Sequence, residues 1–326
     1  MSRLKRTVLK IFLAIPVLVV SLGALAQVGE YPTGPVRIVV PFPPGGPSDV
    51  LARVIGQKLS VKWGQPVLID NRPGGLTVTG ALEVKRAPAD GSVILTAIDA
   101  TYAINPFIFT TLPYSPMEDF EHVSLIATQS AVLLTNKTAP AQNLQGLIEY
   151  AKKNPGALNY AAATTSLQLA GALFDKMAGV KTTMIPYKGN AEAAKAILSG
   201  EVHFSFDGIA ANAPHIKSGT LHAIATTGLK RSPSLPDVPT LDELGLKGFE
   251  LRIWNGFSVP KKTPKAVIDK IQRDTKEALN APDVKEKLLA LGLEVVGSTP
   301  GEFMDTIKKD SSRYQPIIKD MGLKVQ

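Results

Sequence analysis

The chain has 326 residues, 44% of them hydrophobic, no cysteine and a formal net charge of +8. Without cysteine there are no disulfides, no thiolate metal site and no cysteine nucleophile, yet a chain this long can bury the cores of two domains. The positive charge is scattered rather than gathered in blocks, which argues against nucleic acid as a partner.

The first segment is an export signal by its pattern. "MSRLKRTVLK" carries Arg3, Lys5, Arg6 and Lys10 with no acid, and the apolar run "IFLAIPVLVVSLGALA" ends in Ala24-Leu25-Ala26. A charged start, an apolar middle and a small-x-small end describe a cleavable signal peptide over residues 1–26. The opposing reading is a membrane anchor, but the run of 16 residues falls short of the ~18–20 that span a bilayer core. Cleavage after Ala26 would leave a periplasmic chain of 326 − 26 = 300 residues with net charge +4. A soluble monomer is expected.

Beyond Gln27, short β-rich runs alternate with helical stripes, the signature of α/β layers with largely parallel strands. In chain order the pattern predicts strand 37–40, helix 49–59, strand 67–70, helix 79–86, strand 93–97, then strands 124–127 and 132–135. Helix 144–153, strand 158–161, helix 167–178, strand 183–185, helix 191–199 and strands 202–206 and 221–226 follow. "RSPSLPDVP" reads as an ordered surface loop ending in a helix start, "TLDELG". Strand 256–259 and helices 264–280, 282–291 and 300–314 complete the chain.

Catalytic motifs are missing. His122, His203, His215 and His222 stand in no metal-binding spacing, and His203 and His222, in predicted strands, are expected to be packed and hydrogen-bonded. There is no G-x-S-x-G elbow, and Glu118-Asp119 reads as a solvated turn. No catalytic residue, metal or cofactor is expected.

"RIVVPFPPGGPSDVLARVIGQKL" is more informative. Strand, glycine loop and helix N-terminus form the layout that presents backbone N–H groups to an anion. The loop lacks the Lys-Ser/Thr ending of a phosphate loop and lacks G-x-G-x-x-G. Gly45 and Gly46 would let backbone approach a carboxylate, and Pro43, Pro44 and Pro47 would stiffen the loop. Asp49 is expected to stabilise the helix start. An ordinary tight βα turn fits the same residues.

The opening "YPTGPVRIVVPFPPGGPSDVLARVIGQKLSVKWGQPVLIDNRPGG" resembles that of the Bug-type extracytoplasmic solute receptors of tripartite tricarboxylate transporters. The likeness continues through "NPFIFTTLPYSPMEDFEHVSLIA", "LIEYAKKNPGALNYA", "IPYKGNAEAAKAILSGEVHFSFDGIAANAPHIKSGTLHAIATTGLKRSPSLPDVPTLDELGLKGFE" and "GFSVPKKTPKAVIDKI". The resemblance implies a type II-like periplasmic-binding-protein fold, two α/β lobes around a ligand cleft joined by two crossover segments. Lobe 1 would be residues 27–128 plus 255–326 and lobe 2 residues 129–254. It implies a small organic carboxylate as ligand, and membrane permease subunits or a sensor kinase as partner. A transport receptor, a sensing subunit and an exported enzyme with a substituted cleft all fit the sequence.

The ligand-binding residues the resemblance implies in lobe 1 are Phe42, Pro44, Gly45, Gly46 and Ser48, with Asp99, Thr101 and Tyr102. In lobe 2 they are Ala163, Thr164, Thr165 and Ser166, with Tyr187, Lys188, Asp207 and Gly208. Arg72 is expected to brace its own lobe. Two departures stand out: Leu76, Thr77 and Val78 replace a glycine run, and the turn "AAATTSLQ" lacks glycine and has Gln168 where the family has histidine.

Overall fold

Apolar alternation and helical stripes resolve into ten strands and ten α-helices among the described residues, which in this computed structural model are 31–187 and 189–324. The expected signal peptide and Lys188 lie outside the described residues. The order begins β1 (Val36–Val40), α1 (Pro47–Trp63), β2 (Val67–Asn71), α2 (Val78–Lys85) and β3 (Val93–Ile98). A π-helical turn, Ala100–Ile104, leads into α3 (Asn105–Ile108) and the long β4 (Phe120–Asn136). Then come α4 (Leu144–Lys153), β5 (Asn159–Ala162), α5 (Thr165–Ala178), β6 (Thr183–Pro186), α6 (Asn190–Ser199), β7 (Phe204–Gly208), α7 (Ile209–Lys217) and β8 (Leu221–Thr226). The chain closes with β9 (Arg252–Pro260), α8 (Lys265–Asn280), α9 (Pro282–Ala290), β10 (Glu294–Val295) and α10 (Pro300–Met321).

The strands line up as β2-β1-β3-β9-β4-β7-β5-β6, with β8 and β10 also pairing β4. β1, β2 and β3 are parallel, as are β5, β6 and β7, whereas β9 and β4 enter antiparallel. Residues Phe120 to Ser130 of β4 pair with β9, and Ala131 to Asn136 pair with β7 or β8. One continuous strand is therefore shared by two α/β lobes. Strands 124–127 and 132–135 were expected as two, because the polar Gln129-Ser130 reads as an interruption. Those residues instead stay in the ladder opposite Ile253 and Arg252.

Other expectations change as well. α7 was not anticipated, since Pro214 sits inside it and its ring removes a helical donor. "TLDELG" forms successive turns: Thr240 and Glu243 cap each other's N–H groups, but Gly245 at φ 107° ends the turn. α10 runs to Met321, past the expected stop, with Pro316 within it. His222 is exposed on β8 rather than packed, and His203 lies just before β7, hydrogen-bonded to Asn159.

α10 binds the lobes together from outside the sheet. Phe303 stands edge-on to Trp254 at 5.3 Å and to His122 at 5.4 Å. Asp310 accepts hydrogen bonds from Trp254 Nε1 (2.9 Å) and Arg313 (2.7 Å), and Arg313 also donates to Glu250 (2.6 Å). Near its end α10 packs on α5, where Lys176 meets Asp320 at 2.6 Å.

Gly256 of β9 lies under the Phe303 ring, and a Cβ there would fall 2.1 Å from it. Gly256→Ala should destabilise the protein by about 1–3 kcal/mol through overpacking, read as a lower urea midpoint. An unchanged midpoint would refute this packing.

Candidate functional site

The parallel strands of each lobe end at a rim where a helix begins, the position at which α/β proteins gather ligand-binding loops. β1 runs through the glycine loop into α1, whose N-cap is Gly46. β5, β6 and β7 run into α5, α6 and α7, capped by Thr164, Gly189 and Gly208. The first N–H groups of each helix lack an intrahelical acceptor and carry the positive end of its dipole.

The glycine loop is held from behind. The Asp49 carboxylate accepts from Gly45 N, Arg53 Nε and Asn71 Nδ2, each at 2.9 Å, and the Asn71 amide also reaches Phe42 O at 3.0 Å. Burial pushes the Asp49 carboxyl up, but hydrogen bonds from Arg53, Gly45 and Asn71 hold it below the ordinary aspartate value. Pro44 and Gly45 are exposed, and Gly45 takes φ 90°. Gly46 keeps φ −78°, and a Cβ there would meet nothing within 4 Å. The loop is thus fixed on one side and open on the other. Ser48, buried, donates to Asn255 Oδ1 at 2.6 Å, which ties α1 to the centre of β9. Asn255 is opposite Ile98 in the sheet, so the loop and the Asp99 turn are neighbours.

The Asp99 turn is π-helical rather than a simple strand end. Thr101 points into lobe 1: its hydroxyl accepts from Ile98 N and donates to Thr77 Oγ1 at 2.9 Å. Tyr102 packs edge-on to His122 (4.8 Å) and tilted against Phe120 (5.6 Å), and burial lowers the His122 imidazole to about 4. Behind them, Asn105 donates to Leu76 O at 2.8 Å. Leu76 and Thr77 hold left-handed φ values of 53° and 80°. Such strain costs roughly 1–2 kcal/mol per residue, and the Asn105–Thr77–Thr101 network offsets it.

Asp99 itself is fully buried. Its carboxyl lies beside the Ser166 hydroxyl of α5, yet neither carboxyl oxygen nor that hydroxyl makes a well-formed hydrogen bond. Burial pushes the carboxyl up to about 7, against the Ser166 contact and aided by the nearby Asp310 charge. α5 packs against the π-helical turn here, so the strand-end turns of the two lobes meet at Asp99 and Ser166.

In lobe 2, the Thr164 hydroxyl caps α5 by accepting from Leu167 N at 3.3 Å, and Thr165 is buried in the first turn beyond it. Ala163 is half-buried at the end of β5. Tyr187 continues β6 alongside, its N–H bound to Ala162 O and its hydroxyl donating to Glu201 at 2.8 Å. Asp207 is engaged inward: it accepts from Asn190 (3.0 Å), Asn212 (3.0 Å) and Gly208 N (2.7 Å). It braces Gly208 and the starts of α6 and α7 rather than facing outward. Arg72 pairs with Asp70 at 3.0 Å within its own lobe. Asn71, Asn105, Asn190, Asn212 and Asn255, which hold these turns, were not anticipated; their only mark in the sequence is an amide at the edge of an apolar run.

No cluster of three or more His, Cys, Asp or Glu that could hold a metal ion occurs among the described residues. Nor is any described helix long and apolar enough to cross a membrane.

Residues 51–323 match the family described as "Tripartite tricarboxylate transporter family receptor". Protein BugT of Bordetella pertussis is 33% identical, over 97% of this chain and 99% of its own. Among solved structures, R. palustris Rpa4515 with adipate is 32% identical with a TM-score of 0.81, covering 90% of this chain and 99% of its own. MatC from Rhodopseudomonas palustris with bound malate is 29% identical with a TM-score of 0.78, covering 88% and 100%. The fold these structures share with this chain is the periplasmic-binding-protein fold.

The Asp49 brace makes a pH-dependent prediction. A carboxylate whose value is lowered on folding stabilises above its ordinary value and loses that contribution as pH falls through the lowered one. Asp49→Ala should therefore cost about 1–3 kcal/mol at neutral pH, with the gap to the parent shrinking below about pH 4. Urea titrations of both proteins at the two pH values measure it, and a gap that widens in acid would contradict the brace.

Proposed function

The chain belongs to the tripartite tricarboxylate transporter receptor family, the Bug-type proteins, and on that premise we propose that it is a periplasmic receptor for a small organic carboxylate. It captures the ligand between its lobes and delivers it to the permease subunits of a tripartite transporter. It contributes affinity and specificity, and no chemistry. Residues 1–26 direct export and are removed by cleavage after Ala26, and the mature protein acts as a monomer.

The observation that carries this reading is the meeting of Asp99 with Ser166, which sets the strand-end turn of one lobe against a helix start of the other. Ligand contacts to both sides would stabilise the closed arrangement, which is how a hinge receptor couples binding to shape. Two relatives of similar fold carry adipate and malate, and helix N-termini with hydroxyls suit such anions without a buried ion pair, whose desolvation would be costly.

Lobe 1 comprises residues 27–128 and 255–326, and lobe 2 residues 129–254. Phe42, Pro44, Gly45, Gly46 and Ser48 form one jaw of the clamp, and Ala163, Thr164, Thr165 and Ser166 the other. Asp99, Tyr187, Lys188 and Gly208 border the ligand. Thr101, Tyr102 and Asp207 act from behind, because their side chains are spent on bracing.

A thermal-shift panel of mono-, di- and aromatic carboxylates should contain at least one that raises the melting temperature. Ligand at 100 times its Kd stabilises by ~2.7 kcal/mol. Gly46→Leu, at a position with ordinary φ and open space, should keep the unliganded melting temperature and lose that shift. A panel with no stabilising member, or a Gly46→Leu protein that still responds, would refute the proposal. Ligand recovered chemically altered after long incubation would refute the absence of chemistry. The mass of periplasmic protein should place its first residue at Gln27.

A further inference from the structure

Asp99 poses a problem of hydrogen bonding that its surroundings do not solve. A carboxylate can only accept, and a buried acceptor left unpaired carries its whole desolvation cost. Both Asp99 oxygens are buried without a partner. The groups facing it are the Ser166 hydroxyl from α5, Asp310 and Tyr314 from α10 and the backbone of Ala100. The Ser166 and Tyr314 hydroxyls and the backbone N–H groups of Asp99 and Ala100 lie around it, yet none makes a well-formed hydrogen bond to either oxygen. Arg313, the neighbouring cation on α10, is already divided between Asp310 and Glu250. An unsubstituted carboxylate held at the starts of α1 and α5 would bring only further acceptors to this point, and like charges so close repel.

We propose that Asp99 is a specificity-determining residue that selects carboxylates carrying a hydrogen-bond donor, a hydroxyl or an ammonium, close to the carboxylate. The inference rests on the carboxylate-receptor reading above. The helix starts and the Gly46 loop hold the ligand's carboxylate, while its donor pairs with the Asp99 oxygens across the junction of the lobes. A charge-assisted hydrogen bond made in a closed, water-poor site is among the stronger polar contacts available to a receptor. It is also the kind whose loss discriminates sharply between ligands, because the protein's own acceptor is then left unpaired.

The test is calorimetric titration at pH 8 with acids matched in carbon skeleton. The sets are propionate, lactate and alanine; succinate, malate and aspartate; and glutarate, 2-hydroxyglutarate and glutamate. In each set that binds, the hydroxy or amino member should bind ~10-fold or more tightly than the unsubstituted acid. Which of the two leads distinguishes a hydroxyl from an ammonium ligand. Asp99→Asn and the smaller Asp99→Ser, both checked for an unchanged unliganded melting temperature, should lose that preference. Equal or tighter binding of the unsubstituted acids by the parent, or a preference that survives in whichever variant folds, overturns this inference alone. If no acid of any set binds, the carboxylate-receptor reading fails and this one falls with it.

Discussion

Everything in the molecule hangs on the backbone ladder of β4. Its first part hydrogen-bonds to β9 and its last residues to β7 and β8, so a single strand supplies an edge to two different sheets. Strand pairing leaves few free choices, because a slip of one residue would move every side chain to the opposite face. β4 is buried along nearly its whole length, so its register is doubly specified. β9 returns beside it, and these two antiparallel strands connect layers that are otherwise parallel. The rims of both lobes are positioned by that pair.

At the rims, the logic is one of donors and acceptors. Behind the glycine loop, Asp49 and Asn71 absorb the amides and carbonyls that must not wander, leaving the face of Gly46 open. Behind Gly208, Asp207 does the same with two asparagine amides. Both carboxylates are saturated with donors, and Asp99 is not. Three buried aspartates at the rims thus fall into two kinds, and the difference lies in what surrounds them rather than in the residue. The left-handed Leu76 and Thr77 belong to the same economy, since their strain is tolerated where Asn105 and Thr101 hold them.

Much of this was legible in sequence. Two periodicities, one of strands and one of helices, were enough for the alternating architecture, and the proline-glycine punctuation placed the loop before α1. What escaped has physical reasons. Gln129 and Ser130 look like a break because polarity in a strand usually means exposure, but here the ladder passes through a junction between lobes. α7 was hidden by Pro214, whose cost is met by the tertiary packing of β7 and β8. The environment of Asp99 was unreadable because Ser166 and Asp310 come from segments distant in the chain. Only folding brings them to its side. The bracing asparagines were invisible for a related reason: their partners are mostly backbone groups, which carry no signature of their own.

The terminal helix sets a mechanical condition on the whole molecule. α10 is anchored to β9 through Trp254, to residue Glu250 through Arg313, and to α5 through Asp320. A bolt fastened to both leaves of a door decides where the hinge line runs. Any separation of the lobes either breaks those bonds or swings about them, and swinging is the cheaper course. The gap would then widen most on the side away from α10, so the mouth through which a solute enters is set by a helix that forms no part of the jaws.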